Sequence, residues 1–205
     1  MSKEMTANSI HWAMDRIKVS ILAHADELNA RDGAIGDGDL GVTLSRSVEL
    51  FSATPPAGDD VGMVLLGYAK MLTGTVGSTY GTLMATGLMA AAKLTKGRTA
   101  IPWTEVSSLL GAAGVAMAAR GKSQLGDKTV LDAVESARAA TDGIGDPKKL
   151  VSAAAEAVRT TTAEFRMRVF KQGRARIWGE KGIGMEDPGM VAFQYMAESL
   201  LPESS

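Results

Sequence analysis

The chain has 205 residues with 22 Lys and Arg against 23 Asp and Glu, so a formal net charge of −1 offers no field to draw it onto nucleic acid or an anionic membrane. With no cysteine and two histidines, disulfides, thiolate sites and cysteine nucleophiles are excluded, and any metal is expected on oxygen ligands. No apolar run approaches the roughly 20 residues of a bilayer span, and the opening MSKEMTANSI lacks a signal-peptide core, so a soluble, cytoplasmic single domain over residues 1–205 is expected.

Aromatic residues make up only 5% of the chain while Ala, Leu and Met supply much of the apolar content, a composition that favours helix. Ile10, Met14, Ile17, Ile21, Ala25 and Leu28 recur at spacings of three and four, which predicts a first helix from about Asn8 to Ala30. A second spans Val42 to Phe51, and Pro55, Pro56 and Gly58 end it in a turn. Asp59 or Asp60 caps a third, carrying Val61, Leu65, Tyr68 and Leu72 into the Gly-rich stretch Thr73 to Gly81. The fourth runs from Thr82 to Leu94, and Pro102 opens a fifth with Val106, Leu110, Ala113 and Met117 on its inner face. The sixth covers about Thr129 to Ala140, and Asp146-Pro147 starts a seventh that ends near Phe170. After a polar segment from Arg174 to Gly189, Pro188 begins the eighth, which ends around Leu200. His11 and His24 fall in the first helix, away from every Gly-rich junction; Trp12, Tyr68 and most methionines read as core packing.

Eight helices, no strand and short connections describe an all-α, antiparallel up-down barrel or bundle. The chain has 23 glycines, and four helix junctions stand out for them: Gly33–Gly41, Gly74–Gly81, Gly121–Gly126 and Gly179–Gly189. These follow helices one, three, five and seven, and in an up-down bundle alternate loops share an end. A single site built from four loops is expected there.

The first junction places Asp32, Asp37 and Asp39 within eight residues among glycines. Three such carboxylates repel one another unless a hard cation such as Mg²⁺ or Ca²⁺ joins them. The run Gly36 to Gly41 spells G-x-G-x-x-G, but a helix rather than a strand precedes it, so a dinucleotide fold does not follow. An EF-hand fails as well, since the twelfth position from Asp37 is Val48. The second junction brings Gly77, Ser78 and Thr79 to a helix start, where backbone N–H groups, hydroxyls and the helix dipole suit an anion. No G-K-[ST] is present, so it is not a Walker loop. The third ends in Thr129 at another helix start, and the fourth carries Arg174, whose planar guanidinium suits phosphate.

Leu28 to Gly41, Ala119-Arg120-Gly121-Lys122, Gly126 to Asp132, Gly173-Arg174-Ala175, Gly179 to Gly184 and Asp187-Pro188-Gly189 together resemble the nucleotide-binding L subunit of dihydroxyacetone kinase over nearly the whole chain. The resemblance implies an eight-helix barrel binding ADP or ATP at one end, with Asp32, Asp37 and Asp39 holding two Mg²⁺ ions. It implies catalytic roles for these three and Arg174, and a nucleotide site formed by Gly77, Ser78, Thr79, Gly121, Gly126, Thr129, Val130, Arg174, Asp187 and Pro188. The implied activity is phosphoryl transfer to a ketose held by a separate K subunit; a nucleotide-loaded regulatory module without turnover is the alternative. ATP as substrate and ADP recharged by a phosphohistidine carrier protein of the phosphotransferase system both stay open, as does a homodimer. Nucleic acid and membrane partners are not expected. Leu40 replaces a common His, Tyr80 a Gly, and Arg176-Ile177-Trp178 a Ser-Tyr-Leu, which alters the mouth of the site and makes a related ketose such as a tetrulose an alternative to dihydroxyacetone.

Overall fold

The computed structural model describes residues 3–75 and 78–202. Among the described residues eight α-helices follow in chain order: α1 (Ala7–Ile35), α2 (Leu40–Ala53), α3 (Val61–Thr75), α4 (Thr79–Thr95), α5 (Val106–Gly121), α6 (Val130–Thr141), α7 (Pro147–Phe165) and α8 (Pro188–Ser199). Each packs on the next, and α8 returns against α1 to close the ring. Neighbouring helices alternate in direction, so the N-termini of α2, α4, α6 and α8 meet at one end.

Local chemistry sets most of the boundaries. Asp146 and Asp187 each precede a proline and accept from the backbone N–H two residues beyond it, at 2.8 Å from Lys149 and 2.8 Å from Met190. Asp60 caps α3 by accepting from Met63 N–H and reaches across to Gly97 N–H, tying the start of α3 to the end of α4. The fourth helix begins at Thr79 rather than Thr82 because Ser78 accepts from Gly81 N–H at 3.0 Å and becomes its N-cap. The seventh stops at Phe165 rather than Phe170. Phe170 fits the helical spacing but buries with Ile35 and Ala175 in a separate small cluster.

The expectation of no strand is corrected. Strand β1 (Glu4–Thr6) pairs antiparallel with β2 (Ala100–Pro102), with Met5 opposite a fully buried Ile101. Three-residue strands are too short for a period-two pattern to register. They end where Thr6 caps α1 and where Pro102 leads into the 3₁₀ turn Trp103–Glu105. Trp12 is also not core: it is 41% exposed, with the Arg16 guanidinium over its ring. Tyr68 is buried as expected, its hydroxyl 2.7 Å from His11 Nδ1.

The core lies inside the ring, lined by Ile17, Leu44, Phe51, Leu72, Met84 and Phe193 among others, around an apolar cavity of about 260 Å³. Close approach of α2 to α1 needs a glycine: a Cβ on Gly41 would lie 2.0 Å from the Ala25 carbonyl oxygen. Backbone cannot yield as a side chain does. Gly41→Ala is therefore expected to destabilise the fold by about 1–3 kcal/mol, read as a lower denaturation midpoint at unchanged m-value. An unchanged midpoint would mean that the two helices are not packed this closely.

Candidate functional site

All four glycine-rich junctions open into one cleft of about 710 Å³. Asp32, Asp37 and Asp39 line it from the α1–α2 junction, Ser78, Thr79 and Tyr80 from the start of α4, Gly121, Thr129 and Val130 from the α5–α6 junction, and Arg174, Asp187 and Pro188 from the α7–α8 connection. Gly77 lies outside the described residues. Gly126 is not part of the lining. It has φ +90°, and its N–H donates 2.5 Å to Asp132 Oδ1, so it shapes the turn before α6 instead of facing the cleft.

The acidic junction is built from the end of α1. Asp32 Oδ2 accepts from Asp39 N–H at 3.0 Å and Leu40 N–H at 3.3 Å, which curls the loop back over it. Gly38, with φ +77°, makes the turn and lies close to Gly33. One carboxylate oxygen from each of Asp32, Asp37 and Asp39 falls within 4.8 Å of the others. Asp39 is the N-cap position of α2 but makes no side-chain cap bond, leaving its carboxylate unspent on the helix. Arg174 pairs with Asp37 and holds that carboxyl below the ordinary range. Three negative charges against one guanidinium leave two uncompensated. An all-oxygen set of converging carboxylates with that residual charge fits a hard divalent cation.

The anion side comes from helix starts. The positive ends of four helix dipoles converge on the cleft, each equivalent to roughly half a charge. Thr129 caps α6 by accepting from Leu131 N–H at 3.3 Å, while Asp132 closes the box by accepting from Thr129 N–H at 2.9 Å. Tyr80 does not fill the cleft. It is 9% exposed, forms part of both the cleft wall and the inner apolar cavity, and its ring lies where a Cβ on Gly189 would approach within 3.1 Å.

The polar segment expected after α7 holds a kinked 3₁₀ helix, Arg174–Gly182, bent at Gly179. It leaves Ile177 82% exposed and Trp178 39% exposed at the rim. Several lining residues had no sequence signal: Ile35, Leu83, Ser123 and Gln172. Gln172 donates to the carbonyls of Gly121 and Lys122, joining the third and fourth junctions. The spacing Thr129-x-x-Asp132 does announce a capping box, and with it the reason Asp132 is buried.

Among the carboxyls of the cleft, Asp187 has the most altered acidity. Its carboxyl is enclosed by the first turn of α8, and burial pushes it up to about 7 against the opposing hydrogen bond from Met190 N–H and the weaker pull of Lys128. The folded state therefore holds this proton where the unfolded state has released it. The stabilisation is complete below the unfolded value near 3.8 and is lost as pH rises towards 7. Asp187→Asn is expected to remove that decline between about pH 4 and 7, seen by denaturant titration at several pH values. A slope retained in the variant would assign the effect to another group.

A ring of helices thus carries an acidic loop at a cleft on which four helix N-termini converge. Residues 34–202 match the DAK2 domain, and the chain belongs to that family. It is 29% identical to the PEP-dependent dihydroxyacetone kinase, ADP-binding subunit DhaL, of Escherichia coli K12, covering 86% of this chain and 87% of that protein. It is 33% identical to the PEP-dependent dihydroxyacetone kinase 2, ADP-binding subunit DhaL, of Listeria innocua, over 80% and 79% of the two chains. Rat triokinase/FMN cyclase is 30% identical over 98% of this chain, which spans 35% of that longer protein. The fold is shared with the C. freundii dihydroxyacetone kinase in complex with AMP-PNP and Mg²⁺, at a TM-score of 0.75 and 21% identity, covering 93% of this chain and 33% of that one.

Proposed function

We propose that this chain is the Mg²⁺- and nucleotide-binding subunit of a two-component ketose kinase, delivering a phosphoryl group to a ketose held by a separate K-type subunit. The observation that carries the reading is the meeting of Asp32, Asp37 and Asp39 with Arg174 and four helix N-termini in one cleft. Asp32, Asp37 and Asp39 hold the Mg²⁺, which when bound neutralises phosphate charge. Backbone N–H groups at Ser78–Tyr80 and Val130 bind phosphate oxygens, and Thr129 and the Asp187-Pro188 turn border the nucleotide. Arg174 places a planar, permanently charged group beside the transferring phosphoryl. Positioning and fixed charge account for most of the rate expected of phosphoryl transfer, so this chain supplies no general base. The carbonyl-bearing acceptor sits on the partner. The DhaL relatives, matched over most of their length, are named as PEP- or PTS-dependent ADP-binding subunits. That favours ADP retained as a coenzyme and recharged by a phosphohistidine carrier over exchangeable ATP.

The test mixes the chain with a K-type subunit and follows phosphorylation of dihydroxyacetone and of a tetrulose, with ATP or a phosphorylated carrier protein as donor. Product that requires both subunits supports the reading. ADP held tightly with no transfer in any combination would favour a regulatory module instead.

A further inference from the structure

Lys128 is 1% exposed and has no direct ion pair among the described residues, Asp187 and Glu186 acting on its charge only from a distance. Its three N–H bonds are all spent on backbone: the carbonyls of Arg168 at 2.8 Å, Gly182 at 3.2 Å and Arg166 at 3.3 Å. The nitrogen also lies 3.9 Å from the centre of the Phe170 ring. Burying a cation costs several kcal/mol unless polar groups replace its water, and here three carbonyl dipoles and a π face do so. Such an arrangement is expensive for packing alone. What it achieves is closure, since Arg166 and Arg168 leave α7 while Gly182 ends the 3₁₀ helix, and one side chain gathers both ends of the connection.

That connection is a strap across the site. Lys171 N–H donates to the Asp127 carbonyl, Gln172 reaches the α5–α6 junction, Phe170 and Ala175 bury against Ile35 of α1, and Arg174 meets Asp37 at the far side. Lys128 itself precedes Thr129, the cap of α6 that lines the cleft. We infer that Lys128 is a positioning residue that pins the Arg166–Gly182 strap and thereby presents Arg174 to the acidic loop and the ligand beside it. The inference deepens the nucleotide-site reading and rests on it for the ligand arm of its test.

The experiment compares wild type, Lys128→Met, Arg174→Gln and the double variant, all as the full chain and all well below their denaturation midpoints. Met keeps the length of the side chain and the backbone demand at φ +63° while removing the ammonium. In the first arm, trypsin cleaves metal-free, nucleotide-free protein, and mass spectrometry follows cuts after Arg166, Arg168, Lys171, Arg176 and Lys181. Lys128→Met is expected to speed these cuts at least about tenfold, whereas Arg174→Gln leaves them near the wild-type rate. In the second arm, Mg-ADP affinity falls about tenfold in each single variant and no further in the double, because both remove the same contact.

Strap cleavage unchanged in a folded Lys128→Met, or losses that multiply in the double variant, would overturn the inference. Should Lys128→Met not fold, Lys128→Gln, which keeps two donors, carries both arms. Failure of both to fold would make Lys128 a determinant of the fold and not a positioning group. A wild type that binds no Mg-ADP contradicts the functional reading, while the cleavage arm still decides whether Lys128 pins the strap.

Discussion

Asp39→Asn is expected to lower phosphoryl transfer about 1,000-fold while leaving the metal-free protein as stable as wild type or slightly more so. The direction of both effects follows from one fact, the crowding of three carboxylates whose oxygens lie within 4.8 Å of one another. In the absence of a cation, like charges at that spacing in a water-exposed loop repel by about 1 kcal/mol. Neutralising one relieves that repulsion. No cap is lost, because the Asp39 side chain makes none, whereas Asp32 is committed to the N–H groups of Asp39 and Leu40. Activity moves the other way. A metal-held phosphoryl group draws several kcal/mol of charge stabilisation from its ligands, and each 1.36 kcal/mol is about a factor of ten in rate. The measurement is turnover with a K-type partner beside a thermal scan of the metal-free chain. Full activity in Asp39→Asn would remove this residue from the metal site, and a large loss of stability would mean that the loop depends on its charge for folding.

Arg174→Gln is the second large effect: kcat is expected to fall by about 10³, at the lower end of what a charge-stabilising arginine supplies in phosphoryl transfer. The side chain is 69% exposed, and its partner among the described residues is Asp37. Its ion pair therefore contributes little to stability in water. A variant that melts with the wild type but turns over a thousandfold more slowly separates chemistry from folding. Arg174→Lys should recover only a small part of the rate, because a single ammonium cannot make the two parallel hydrogen bonds that a guanidinium makes to one phosphoryl group. Equal activity for Lys and Arg would show that charge alone suffices.

Much of this could be read in the chain because its signals are local. The Asp32–Gly41 loop puts its carboxylates and its turning glycines side by side, so both the cation chemistry and the backbone freedom appear within ten residues. The gathering of four junctions at one end follows from counting helices, and the Asp-Pro starts of α7 and α8 carry their own caps. What stayed hidden depends on residues distant in sequence. Lys128 reads as a solvated lysine between Asp127 and Thr129, and only folding brings it to carbonyls 38 to 54 residues away. Phe170 continues the α7 spacing but is drawn off by Ile35 of α1. Gly126 sits inside a motif expected to touch nucleotide, and its N–H goes to Asp132 instead. A bulky Tyr80 in a loop of small residues suggests a blocked site; the ring is accommodated because Gly189 leaves room for it in the first turn of α8.

The central claim is that the acidic loop and the helix starts form one metal-dependent nucleotide site. Calorimetric titration of ADP into the purified chain, with and without Mg²⁺ and repeated on Asp37→Asn, tests it most directly. Tight binding that needs Mg²⁺ and collapses in the variant is the expected result. Binding of equal strength with and without Mg²⁺, or no binding by the wild type in either condition, would contradict it.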